Sequence, residues 1–303
     1  MIECIGFREI NKTIFYCIML DPHKNIIAAT PFCFPGYHPF TAYRLFSKAG
    51  IYNVEIPALS FKMSADYEMV SIPPELMNHE NLIVLREFLQ QHRLTPITMA
   101  VFSDFLESRE VESLRICVDA AQKLGVQYLI TDATRKEKLD RNQWEKLIKT
   151  MRNFADYAAD SNIRVTLEIH KGPTQTGELA LKLLESVNHP NIGINYDTGN
   201  IYYYNEDIDP AEDIKHIAEY VMHVHLKDTT GGKGEWKFCA LGEGRVNFPE
   251  IIQVLQSVNF RGPYSLELEG KEGEDLNRQK CLRRLEKSLN YLRDIRLLPS
   301  IKE

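Results

Sequence analysis

The sequence predicts an α/β chain folded as a single (β/α)8 barrel, and three observations lead there. Eight short apolar runs rich in β-branched residues alternate with longer segments of helical period over residues 25–303. Helix-to-strand joints carry a Gly or Asn stop just before the next apolar run, at Ala49-Gly50, Leu124-Gly125, Ser161-Asn162 and Asn259. No G-x-G-x-x-G or Walker sequence is present, as a doubly wound nucleotide-binding sheet would usually require, so eight repeats close most economically into a barrel.

Residues 1–24 form a short N-terminal extension, with 14–20 a candidate strand or hairpin arm and Asp21-Pro22-His23-Lys24 a turn into the barrel domain of 25–303. The predicted strands are 26–34, 54–59, 97–102, 126–131, 164–170, 192–197, 221–227 and 264–269. Helical spacing predicts 40–49, 75–92, 108–124, 141–161, 177–188, 210–218 and 248–258 between them, and a last helix over 276–297. Strict alternation of this kind implies a parallel sheet.

Bulk properties exclude several function classes. The chain has 303 residues, within the range of a one-domain barrel. A formal net charge of -6 gives no basic footprint for nucleic acid. The six cysteines are scattered, with no C-x-x-C pair, as suits a reducing compartment. The most apolar early run, 13–20, is far too short to span a membrane and lacks the flanks of a secretion signal. A cytoplasmic protein with no membrane or nucleic-acid partner is expected.

Four strands carry the chemistry. Side chains alternate across a strand, so Thr166, Glu168 and His170 share one face while Val165, Leu167 and Ile169 share the other. The same sorting gives Gly193, Asn195 and Asp197; then His223, His225 and Lys227; then Ser265, Glu267 and Glu269. Helices cover the outside of a barrel, so the apolar faces belong there and the polar faces point inward. Several carboxylates buried together repel one another and lose their hydration, and a divalent cation is the simplest remedy. Taken singly, His170 or His223 serves as well in a structural hydrogen bond as in a metal shell, and spacing alone does not choose between His223 and His225.

The residues L-E-I-H at 167–170, N-Y-D-T-G-N at 195–200, H-V-H-L-K-D at 223–228, L-G-E-G at 241–244 and Y-S-L-E at 264–267 resemble the xylose isomerase-like TIM-barrel superfamily. More narrowly, they resemble its sugar phosphate isomerase/epimerase branch, and the likeness runs from about residue 25 to the final helix. The resemblance implies metal ligands at Glu168, Asp197, His225 and Glu267, His225 being the second histidine of H-x-H. One nitrogen and three carboxylates form a hard site for one divalent ion, Mn²⁺ or Mg²⁺ favoured and Co²⁺ or Zn²⁺ also accommodated.

From that site follows an expected reaction. A cation bound to neighbouring oxygens of an open-chain ketose or aldose acidifies the adjacent C–H, and an enediolate forms and is reprotonated to give isomerisation or epimerisation. Glu168 and Glu267, on strands roughly 135 degrees apart around an eight-strand ring, are the expected acid/base pair as well as ligands. His170, Asn200, Lys227, Glu55 and His38 are the expected contacts to a sugar or sugar phosphate. Glu55 and His38 fit an architectural part better than a catalytic one, a strand-end lysine such as Lys227 more often meets solvent, and Gly231-Gly232-Lys233-Gly234 more often forms a loop or lid than a phosphate cradle. Trp236, Phe238 and Tyr202 to Tyr204 are aromatic candidates for the pocket wall or for packing.

Two departures stand out. L-K-D-T-T-G follows His225 where ketose 3-epimerases carry an acidic residue and an arginine, and D-T-G-N replaces D-x-G-H, placing Asn200 where a histidine often stands. A metal-dependent dehydratase of an inosose-like polyol ketone uses the same ligands and is the competing reading. An endonuclease IV-like repair enzyme would need many more His and Asp ligands, and a sugar-binding barrel without catalysis has no reason to keep all four. Relatives of this kind often associate, so a homo-oligomer is expected.

Overall fold

The computed structural model describes residues 25–59 and 71–300; the expectation for 1–24 lies outside them. In chain order the elements are β1 (Ile27–Ala29), α1 (Pro39–Lys48), β2 (Asn53–Pro57), α2 (His79–Gln91), β3 (Thr95–Ala100), α3 (Ser108–Leu124), β4 (Tyr128–Thr131) and α4 (Arg141–Asp160). Then come β5 (Arg164–Glu168), α5 (Gly177–Val187), β6 (Ile192–Asp197), α6 (Asn200–Tyr204), α7 (Pro210–Asp213) and β7 (Val221–Leu226). A hairpin of β8 (Asp228–Thr229) and β9 (Phe238–Cys239) precedes α8 (Phe248–Ser257), β10 (Tyr264–Leu266) and α9 (Arg278–Asp294). The strands β1-β10-β7-β6-β5-β4-β3-β2 pair in that order into a closed barrel, so the expected (β/α)8 barrel is the fold. Its strand pairs are parallel, as the alternation required.

Local sequence explains the helix boundaries. Asp140 begins α4 with a reciprocal capping box to Gln143, and the side chains of Asn78, Thr176 and Asn277 accept from the first turns of α2, α5 and α9. Gly125 ends α3 at φ 77°, a left-handed conformation that glycine reaches without a Cβ clash, and Asn188 does the same for α5 at φ 45°. The stop signals read from sequence are therefore backbone requirements.

The strands are buried on both faces. Val165, Leu167, Ile194, Tyr196, Val224, Leu226 and Leu266 face outward into one continuous apolar core shared with the helices. Each such aliphatic side chain contributes on the order of 1.5–3 kcal/mol. Tyr196 also fastens β6 to the helical layer, since its hydroxyl lies 3.0 Å from both Pro210 O and Asp213 Oδ2.

Several boundaries differ from the sequence reading. The strand expected over 26–34 stops at Ala29, because Pro31 has no N–H for a sheet and starts a 3-10 turn through Cys33. Helix 210–218 breaks into α7 and two 3-10 turns. The short α6 and the β8–β9 hairpin were not anticipated, and the hairpin encloses the glycine-rich stretch 231–234. Among the described residues no helix is long and apolar enough to cross a membrane.

Candidate metal centre

Parallel pairing fixes which side chains meet inside the barrel. Glu168 on β5 pairs with Asn195 on β6, Asn195 with His223, and Asp197 with His225 on β7; Ser265 on β10 pairs with His225. β10 ends at Leu266, yet Glu267 still donates its N–H to Leu226 O at 3.1 Å, so its side chain stays with the barrel interior. Side-chain contacts sort these residues into two layers, a lower one of Asn195, His223 and Ser265 and an upper one of Glu168, Asp197, His225 and Glu267, although Glu168 is in register with Asn195 and Ser265 with His225.

In the lower layer both nitrogens of His223 are satisfied. His223 Nδ1–H donates to Asn195 Oδ1 at 2.6 Å, and Ser265 Oγ–H donates to Nε2 at 3.0 Å. Asn195 Nδ2 in turn donates to Glu168 Oε2. Burial, with His225 nearby, holds the His223 imidazole well below the usual histidine range and so neutral.

The upper layer is not closed. His225 Nδ1 lies 3.2 Å from Glu168 Oε1, 3.2 Å from Glu267 Oε2 and 3.8 Å from Asp197 Oδ2. Asp197 Oδ1 accepts from the N–H groups of Gly199 and Asn200 at 2.8 and 2.7 Å, which aims Oδ2 at the cluster. Asp197 Oδ2 and Glu267 Oε2 are buried and accept no hydrogen bond. Burial pushes Glu168 up to about 8, helped by Asp197 and Glu267 and opposed by His225. Glu267 is shifted upward by burial too, but Lys227 and His225 outweigh that and hold it well below the carboxylate range. His225 is disfavoured as a cation by burial, yet Glu168, Glu55 and Glu267 raise it well above its ordinary value.

One atom each from Glu168, Asp197, His225 and Glu267 fall within 4.8 Å of one another. Two buried carboxylate oxygens that accept no hydrogen bond and meet Lys227 only as an ion pair, more carboxylates than that one ammonium balances, and an N/O donor set together fit a divalent cation. Glu55, His223 and His225 also converge, but both nitrogens of His223 are committed to Asn195 and Ser265, so that group reads as a hydrogen-bond network.

Glu55 sits behind the centre. His225 Nε2 lies 3.2 Å from both Glu55 oxygens, and Thr98 Oγ1 donates to Glu55 Oε2 at 2.8 Å. An Nε2–H held by this carboxylate leaves the Nδ1 lone pair facing Glu168 and Glu267, the tautomer a metal ligand needs. Glu55 is fully buried under His225 and is not among the residues that line the pocket. His38 is also outside the pocket lining: it caps α1, its Nδ1 accepting from Phe40 N, and packs edge-on against the Phe40 ring.

The D-T-G-N stretch ties β6 to β7. Thr198 Oγ1 donates to Lys227 O at 2.7 Å, and a Cβ on Gly199 would stand 2.8 Å from Lys227 Cγ, which only glycine avoids. Asn200 spends its amide on Glu168, on Ile169 O and on Lys227 Nζ at 3.2 Å. Lys227, a strand-end lysine with every reason to reach solvent, is instead buried. Its ammonium lies 3.5 Å from Asp197, 3.2 Å from Glu267 and 2.5 Å from Glu269, over the rings of Phe238 and Trp236. Asp228 accepts from the N–H groups of Thr229, Gly242, Gly244 and Val246, so the end of H-V-H-L-K-D organises the L-G-E-G loop.

The pocket above the centre encloses about 510 Å³ including open solvent. Glu168, Glu267, His170, Asn200 and Lys227 line it, as do Phe32, Phe102, Asp132, Tyr204, Trp236 and Glu269. Asp132 and Glu269 were not singled out as site residues from sequence. An acidic residue at or just past a strand end was the available signal for both, Asp132 following β4 and Glu269 lying two residues beyond Glu267.

A family model described as xylose isomerase-like TIM barrel matches residues 45–295. The chain belongs to this family. Within it, the chain is 23% identical over 223 residues to an inosose dehydratase of Bacillus anthracis, covering 62% of this chain and 74% of that one. It is 34% identical over 118 residues to a ketose 3-epimerase of Arthrobacter globiformis, where the match spans only 37% of either chain. A xylose isomerase-like TIM-barrel protein of Mycobacterium smegmatis in complex with magnesium superposes with a TM-score of 0.72 at 18% identity, covering 91% of this chain and 99% of that one. An IolI protein with a bound zinc atom gives 0.71 at 17% identity over 89% and 97%. At such identities the structural likeness speaks for the fold.

Proposed function

We propose that this xylose isomerase-like barrel is a divalent-metal-dependent isomerase or epimerase of an open-chain ketose or aldose. The observation that carries the reading is the pair of buried carboxylate oxygens without hydrogen bonds, Asp197 Oδ2 and Glu267 Oε2, beside Glu168 and His225 at the floor of the pocket. Glu168, Asp197, His225 and Glu267 would hold the metal. When bound, the ion supplies positive charge that polarises the substrate carbonyl and lowers the acidity barrier of the neighbouring C–H.

The chain's own carboxylates move the proton. Glu168 and Glu267 reach the pocket from β5 and from the end of β10, so one accepts the proton from the carbon next to the carbonyl, leaving an enediolate. The other delivers a proton to the neighbouring carbon for isomerisation, or to the opposite face of the same carbon for epimerisation. Trp236, Phe32 and Phe102 exclude water from the exchange. Among the described pocket residues Lys227 is the one Lys or Arg, and its single charge is already shared among Asp197, Glu267 and Glu269. That favours a free sugar over a phosphate ester.

The inosose dehydratase likeness, which spans more of the chain than the epimerase one, supports a second reading. There the same proton removal is followed by loss of a hydroxyl. Incubating metal-loaded protein with ketoses and inososes in D₂O separates the two: deuterium uptake without water loss supports epimerase or isomerase, and uptake with water loss supports dehydratase. Purified protein that binds no divalent ion while Glu168 and Glu267 are intact would sink both.

A further inference from the structure

Two further buried polar atoms lack partners in the same pocket, on its β4–β5 side. Asp132 Oδ1 and His170 Nδ1 accept or donate no hydrogen bond and stand 3.6 Å apart, just too far to bond each other. Asp132 is 4% exposed, so water does not readily satisfy it. His170 is held in place from its other nitrogen: Nε2 lies 2.5 Å from the Tyr204 hydroxyl, with the two rings edge to face at 4.6 Å. With Tyr204 O–H donating to Nε2, the remaining His170 proton is on Nδ1, facing Asp132.

The geometry points to a hydroxyl-reading subsite in which Asp132 and His170, the latter positioned by Tyr204, together grip one substrate hydroxyl away from the metal ligands. An oxygen about 2.8 Å from each of the two atoms forms a triangle on their 3.6 Å base without strain. It would donate its proton to Asp132 and accept from His170 Nδ1–H. Only a group that is donor and acceptor at once satisfies both, which describes a hydroxyl. A carboxylate or phosphate is turned away by Asp132 itself and by Glu168, Glu267 and Glu269, which line the same pocket. An ammonium can bond Asp132 but leaves His170 Nδ1–H facing a cation. None of these three residues is a metal ligand in the proposed centre, so the subsite selects among sugars without touching the ion.

The subsite rests on the sugar-enzyme reading, and its test separates the two. Mn²⁺-loaded protein is titrated with D-allulose and its monodeoxy counterparts, binding being followed by Trp236 fluorescence, and turnover is measured in parallel. In the wild type one deoxy counterpart is expected to bind about tenfold weaker or worse than its parent, the penalty of an unpaired buried group. Asp132→Asn should reduce that ratio to less than about threefold, and Tyr204→Phe should reduce it partly, both with Mn²⁺ affinity unchanged. An unchanged ratio in Asp132→Asn overturns the subsite while leaving the enzyme reading in place. Selective binding without turnover of any ketose or inosose keeps the subsite and overturns the enzyme reading. Binding of none of these sugars overturns both.

Discussion

The two polar layers inside the barrel are built from inward-facing positions two residues apart on β6, β7 and the β10 run, with Glu168 of β5 added to the upper one, yet they end in opposite states. Asn195, His223 and Ser265 saturate one another, and burial keeps the imidazole neutral. Glu168, Asp197, His225 and Glu267 gather three carboxylates around one imidazole and leave two oxygens with no hydrogen bond and only a share of the Lys227 ammonium. The lesson concerns closure more than residue type. A polar layer that satisfies itself is structure, and one that needs a charge from outside is a site.

The contrast can be broken at several points. The largest effect is expected at the upper layer, where Glu168→Ala or Glu267→Ala should lower kcat/KM by at least about a thousandfold, about 4 kcal/mol of transition-state stabilisation. Circular dichroism should remain that of the wild type. Retained activity in either variant would remove both the ligand and the proton-transfer roles.

Next is the carboxylate under His225. Glu55→Gln keeps size and a hydrogen-bonding group but can present an N–H to Nε2 and so oppose the useful tautomer. Mn²⁺ affinity measured by calorimetry is expected to fall about 10–100-fold. Equal affinity would mean that His225 needs no partner to face the ion.

The lower layer should answer in a different currency. His223→Ala strands Asn195 Oδ1 and the Ser265 hydroxyl, costing about 2–4 kcal/mol in denaturant unfolding when the lost volume is added. Mn²⁺ affinity should stay within about threefold. If metal binding is lost as completely as in Glu168→Ala, the two layers are one unit and the distinction fails.

The contrast can also be sharpened with pH. Burial raises Glu168 to about 8, so below that pH an ion must displace its proton, and the carboxylates around His225 add a second proton to displace. Apparent Mn²⁺ affinity should therefore weaken as pH falls from about 8 towards 6, with proton release seen as a buffer-dependent enthalpy. A flat profile over that window would show that the upper layer is already ionised.

Much of the site was legible because strand alternation is a local rule. Once the runs ending in His170, Asp197, Lys227 and Glu269 were placed on strands, their inward faces followed, and the four ligand positions taken from the resemblance converge in space. Lys227 and Glu55 were harder to place. An exposed strand end and a buried one read alike in sequence, and what covers Lys227 is the β8–β9 hairpin with Phe238 and its neighbour Trp236, which had no strong pattern.

By itself the sequence determined the repeat of strand and helix, the turn positions that demand Gly or Asn, and which side of each strand is polar. All of these depend on neighbours a few residues away. Only the closed barrel decided that His223 is locked and His225 open, that Glu55 stands behind His225 across 170 residues of chain, and that Asp132 and His170 face each other unbonded. Those outcomes depend on parallel register between strands, and on a bulge between Ile194 and Asn195 that sets which residues face each other across β6 and β7. Register is a property of the assembled sheet, so no single stretch of sequence contains it.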